Sequence, residues 1–140
     1  MAANNLNHET GTAIHDWRSD LATIITTRLS NSYHAMRRRA SGKDYENFRR
    51  AIGVLLTHLT PAIENGRPES FAEFVSNGDA LSTALGLSTA DFRIVLEQVR
   101  RTLKQHLPGQ QGVMASEYIG FALAKQMIGS HNAQLQNIAA

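Results

Sequence analysis

The sequence predicts an all-α protein, a compact bundle of five or six helices, and three observations support that class. Apolar residues recur every three or four positions in each long segment, the spacing of one face of a helix. No stretch alternates with period two, and no pair of such stretches flanks a hairpin turn. Glycine, proline and asparagine fall between the periodic segments, where helices have to stop.

The elements follow in order. Residues 1–12 are polar and are expected to be a flexible segment ahead of a single helical domain over 13–140. The first helix is expected over about 13–38, with Ile14, Trp17, Leu21, Ile24, Ile25 and Leu29 on its inner stripe and Tyr33 and Met36 continuing it. Arg37, Arg38 and Arg39 sit at its end, where cations suit the negative pole of the helix dipole. Ser41-Gly42 breaks the pattern, and a second helix is expected over about 43–64. Its stripe is Tyr45, Phe48, Ile52, Leu55, Leu56, Leu59 and Ile63. Pro61 lacks an N–H for the Thr57 carbonyl, so a kink or a last turn is expected there, and Asn65-Gly66 ends the helix.

Pro68 suits the first position of a third helix, with Phe71, Phe74 and Val75 inward. Asn77-Gly78-Asp79 is a candidate interruption before Ala80–Leu85, and Gly86 ends that piece. Ser88 with Asp91 resembles a helix cap, opening a fourth main helix over about 89–106 with Phe92, Val95, Leu96, Val99 and Leu103 on its stripe. Pro108-Gly109 stops it and Gly112 is read as prolonging the loop. The last helix is expected from about 113 into the 130s, with Val113, Met114, Tyr118, Phe121, Leu123 and Met127 apolar on more than one side. That width predicts burial in the core and against a second surface.

Composition narrows the function classes. At 140 residues and 42% hydrophobic, the chain fits one ordinary globular domain. It contains no cysteine, which excludes disulfides, thiolate metal sites and a cysteine nucleophile, and fits a reducing compartment. The first residues hold no basic-then-apolar leader, and no apolar run approaches the roughly 18 residues that span a bilayer. A cytoplasmic protein without membrane contact is therefore expected.

Catalytic patterns are missing: no phosphate-binding glycine loop, no nucleophile elbow and no H-E-x-x-H. None of the six histidines lies three or four residues from another, so no helical ligand pair forms and no metal site is expected. Haem needs only one histidine, and His58 or His106 at a helix edge is the candidate under that alternative; the leading expectation is no cofactor. The carboxylates are scattered along polar faces, and nothing selects an acid–base pair.

A second alternative is recognition of DNA. Six of the 14 Lys and Arg residues fall between 37 and 50, against a formal net charge of +2 for the whole chain. Such a patch can attract phosphates, although helix faces and C-termini also collect arginines. Leu81 to Leu96 also reads as helix, glycine turn, helix, with Gly86 at the turn and Phe92 and Val95 locking the second helix. The candidate nucleic-acid residues are Arg37, Arg38, Arg39, Arg49, Arg50 and Arg93.

From Tyr45 to Leu107 the chain resembles a known group. Tyr45, Phe48, Ala51-Ile52 and Leu55-Leu56, the exit Ala62-Ile63-Glu64-Asn65-Gly66, and then Phe71 and Phe74 are similar to the N-terminal sensory domains of RsbR-type stress regulators. Gly86-Leu87-Ser88, Asp91-Phe92, Val95-Leu96, Val99-Arg100 and Leu103 continue the resemblance, as does the upstream helix with Trp17. The chain departs from the group in lacking a basic residue over Ser82–Leu85. The resemblance implies a globin-like fold without haem, a homodimer, and a non-enzymatic input domain for other signalling proteins in bacterial stress responses. The last helix is the expected lead-out to an effector. The expected dimer face joins the first and last helices through Trp17, Leu21, Tyr118, Phe121 and Met127.

Overall fold

A computed structural model describes the backbone of residues 2–32, 43–77 and 89–139, and the side-chain surroundings of 5–31, 45–77 and 90–126. Those residues form five helices, α1 Ala2–Ser32, α2 Lys43–Glu64, α3 Pro68–Ser76, α4 Thr89–His106 and α5 Gly109–Ala139, and no strand. The all-α bundle is therefore present. Tyr33, Met36, Arg37, Arg38, Arg39 and the stretch 78–88, with its expected turn at Gly86, lie outside the described residues, as does the side chain of Met127.

α1 and α2 form an antiparallel pair that is the most extensive contact in the bundle. Matched pairs run down one helix and up the other: the Tyr45 hydroxyl lies 2.7 Å from Thr27 Oγ1, Arg18 Nη1 donates to Thr57 Oγ1 at 3.2 Å, and Asn7 Nδ2 donates to the Ile63 carbonyl at 2.7 Å. α5 packs between α3 and α4, and both α4 and α5 also touch α1. The shared core holds Ile14, Ile25 and Leu29 of α1, Ile52, Leu55, Leu56, Leu59 and Ile63 of α2, Phe71 of α3 and Phe92 and Leu96 of α4, all without significant exposure.

The helix ends follow local chemistry. At the end of α2, Gly66 takes a φ of 66°. Arg67 N–H then reaches the Ala62 carbonyl at 2.8 Å and Gly66 N–H reaches that of Ile63 at 3.1 Å, a Schellman pair that satisfies two of the last carbonyls. Pro61 falls in the final turn of α2, where Asn65 N–H bonds the Pro61 carbonyl. Pro68 opens α3 with a ring-fixed φ and no N–H to satisfy.

Two expectations at the helix boundaries are corrected. α1 begins at Ala2 and not near 13, so residues 2–12 are its first three turns. Asn7 is bonded to α2 as above, and Thr10 is fully buried with its hydroxyl on the Leu6 carbonyl. Polar residues hid this turn because its anchoring is by hydrogen bonds. α5 likewise begins at Gly109, so Gly112 is a buried helical residue and no part of a loop. A Cβ on Gly112 would sit 2.8 Å from the Lys104 carbonyl oxygen and 3.0 Å from that of Leu107. The glycine lets α5 start directly against the last turn of α4.

Candidate functional site

The inner stripe of α1 is broader than its partners can cover. Ile14, Leu21, Ile25 and Leu29 point into the core, while Trp17 and Ile24, seven residues apart, lie on the stripe's edge. Trp17, expected on the stripe and at a dimer face, is 60% exposed, and Ile24 is half-buried. Facing that edge is the short corner Leu107-Pro108 between α4 and α5. Gly109, with a φ of 49°, turns the chain there, and Leu107 is buried. The space between edge and corner is a groove of about 640 Å³, with Leu21 and Ile24 on one side and Leu107 and Pro108 on the other. Trp17 stands in its wall, and Asp20, Thr23, His106 and Gln111 supply its polar atoms. The size falls within the roughly 300–1,000 Å³ of small-molecule sites, and the mix of apolar walls with a few polar groups is also theirs.

The floor is held rigidly. Arg28 reaches from α1 to the end of α4, donating to Gln105 Oε1 at 2.6 Å and to Thr102 Oγ1 at 3.3 Å, with His106 Nε2 at 3.3 Å from its Nη2. A cation at a helix C-terminus is also favoured by the dipole. On the other flank of Trp17 lies a shallower depression of about 370 Å³ that includes Glu9, Asp16 and Gln111.

The residues expected at a dimer face are divided by the structure. Leu21 is only 3% exposed, so its side chain is committed to its own core and the groove floor and is withdrawn from that role. Tyr118 is half-buried against the core, where burial pushes its phenol pKa up and a hydrogen bond with Asn7 opposes the shift. Phe121 is 37% exposed on α5, with Lys125 Nζ 5.6 Å above its ring. Val113 shares that exposure and lies two turns away. Trp17 lines the groove and Phe121 does not.

Of the basic candidates, Arg49, Arg50 and Arg93 fall among the described residues. Arg49 is paired with Glu46 through Nε at 3.3 Å and Nη2 at 3.0 Å, and that bond holds the Glu46 carboxyl below its ordinary range. Arg50 is exposed on α2, and Arg93 is half-buried on α4. α2 packs on α1 and α3, α4 on α5 and α1, so these arginines belong to different layers. The two histidines weighed for haem have local engagements. The His58 ring stacks on Phe74 with centroids 3.9 Å apart, and His106 meets Arg28. No three His, Asp or Glu side chains converge among the described residues.

The groove went unseen in the sequence because its second wall is made of residues that read as a helix stop. The available signal was the pair Trp17 and Ile24, which lies to one side of the line through Ile14, Leu21 and Ile25. Among the described residues no helix is long and apolar enough to cross a membrane. Comparison of the chain with protein-family models, curated proteins and solved structures finds no match.

Proposed function

We propose that this chain is a non-enzymatic sensory domain whose input site is the groove beside Trp17. The observation that carries the reading is an apolar cleft of about 640 Å³ walled by a tryptophan that the fold leaves 60% exposed. An indole on the surface is costly to leave in water unless something covers it, and clefts of this size bury drug-sized ligands. The walls come from α1 and from the α4–α5 corner, so occupancy bears directly on how α5 sits. α5 is the output element and its exposed Val113 and Phe121 are the contact for a second copy. The resemblance to RsbR-type input domains supports the same assignment, with a dimer in the bacterial cytoplasm signalling to other proteins as its setting.

Trp17 is the only tryptophan, so its emission reports on the groove directly. Titration with N-phenyl-1-naphthylamine, a neutral apolar fluorophore, is expected to show saturable one-to-one binding with energy transfer from Trp17. Trp17→Ala is expected to abolish the transfer and weaken the probe's own enhancement about tenfold, the equivalent of roughly 1.4 kcal/mol. Uptake that rises linearly without saturation, or that is equal in the variant, rules the groove out as an input site.

A further inference from the structure

The groove has a sign of charge as well as a shape. Among its described lining residues Asp20 is the only acidic or basic one apart from His106, and none is a lysine or arginine. The depression on the far side of Trp17 adds Glu9 and Asp16 with His8, again with no lysine or arginine among its described residues. The two described arginines of α1 are engaged elsewhere: Arg18 donates to Thr57 on α2, and Arg28 meets Thr102, Gln105 and His106 at the end of α4. An acidic rim on a chain of net charge +2 is a local feature, not a reflection of overall composition.

Accepting the groove as the input site, we propose that its ligand is a lipophilic cation, an aromatic or alkyl group joined to a quaternary or protonated amine or its phosphonium counterpart. The apolar part lies against Leu21, Ile24, Leu107 and Pro108. The cationic part lies at the indole face of Trp17 and beside the Asp20 carboxylate, three residues away on the same helix. Tryptophan is the strongest aromatic partner for a cation. No hydrogen bond or ion pair engages Asp20 among the described residues. A neutral ligand covering the groove would take that carboxylate out of water without replacing its hydration, and an anion would add repulsion. A cation offsets the loss. The same charges argue against a second copy as occupant. Two-fold pairing of this face would bring the carboxylates of both copies, Asp16 and Asp20 among them, into one interface with no lysine or arginine among its described lining residues.

The test uses three probes of similar shape at low ionic strength, where surface charges are least screened. They are tetraphenylphosphonium, tetraphenylborate and neutral triphenylphosphine oxide, titrated against Trp17 emission and by calorimetry. The cation is expected to bind at least about tenfold tighter than either of the others, and Asp20→Asn is expected to weaken the cation about fivefold while the neutral probe binds as well or somewhat tighter, since it no longer covers a carboxylate. Asp20 is exposed, so the variant keeps its fold. If the neutral probe or the anion binds as well as the cation, the charge assignment is overturned while the groove stands. If none of the three binds, both the inference and the groove reading fall. If the cation binds with full affinity to Asp20→Asn, the assignment of Asp20 is overturned.

Discussion

Gly112 and Gly66 have different reasons to be glycine, and substitution separates them. At Gly112 the obstacle is backbone: the Lys104 and Leu107 carbonyls stand 2.8 and 3.0 Å from where a Cβ would be, and neither can rotate away. Gly112→Ala is expected to lower stability by about 2–3 kcal/mol, read as a reduced urea midpoint, because helix ends have to part to make room. At Gly66 the obstacle is conformation, since the φ of 66° costs an alanine only about 1–2 kcal/mol and its nearest neighbour is the Asn7 amide at 3.6 Å. Tyr118 adds a pH dependence. Burial raises its pKa in the folded chain above the unfolded value, so its contribution is intact below about pH 9 and is lost as pH climbs through the folded pKa. Between about pH 9.5 and 11 the urea midpoint of the native chain is expected to fall more steeply than that of Tyr118→Phe. Equal slopes would show that the phenol is as easily ionised in the fold as outside it.

At the level of elements, legibility tracked residue size. The second and fourth expected helices, 43–64 and 89–106, coincide with α2 and α4, and every large apolar residue assigned inward on α4 is buried. Those helices carry one stripe of bulky side chains opposite a charged face. α5 does not. Its buried line is Gly112, Ala115, Ile119, Ala122 and Leu123, mostly small residues that allow close approach, whereas the bulky Val113 and Phe121 point outward. The expected set, apolar on more than one side, is divided accordingly: Leu123 is buried and Met114 and Tyr118 pack against the core, while Val113 and Phe121 are exposed. The groove was illegible for a related reason: a cleft is made by what two elements fail to cover, and no single stripe encodes it. α1 was misjudged at its start, since hydrogen bonds leave no hydrophobic signature. Deleting residues 2–11 removes the Asn7 bond to Ile63 and the Thr10 packing, and is expected to lower the melting temperature by roughly 5–10 °C. An unchanged melting temperature would return those turns to the status of a dispensable tail.

For the whole molecule the question is how many copies act together. Val113 at 38% and Phe121 at 37% exposure are two bulky apolar residues on the outer side of α5, and the proposed contact with a second copy would cover them. At tens of micromolar, sedimentation is expected to give the mass of two chains, and Phe121→Glu to give one. A monomer in both cases would leave α5 without a partner of its own kind. On the proposed reading ligand and partner would take separate faces, the groove side and α5, where the expected dimer face had joined them through Trp17 and Phe121.

The tight seat of Gly112 has a mechanical consequence. The Lys104 and Leu107 carbonyls leave no room for α5 to press closer to α4 at its start, so on the proposed reading a ligand against Leu107 and Pro108 would tilt α5 about that seat, against its packing on α3 and α4. α5 has 31 residues and so extends about 46 Å from its pivot. Over that arm a rotation of 10° displaces the far end by roughly 8 Å, on the scale of one and a half helical turns. On the proposed reading the corner would serve as a fulcrum, and the helix beyond it would enlarge a small change in the groove into a movement that a second protein could detect.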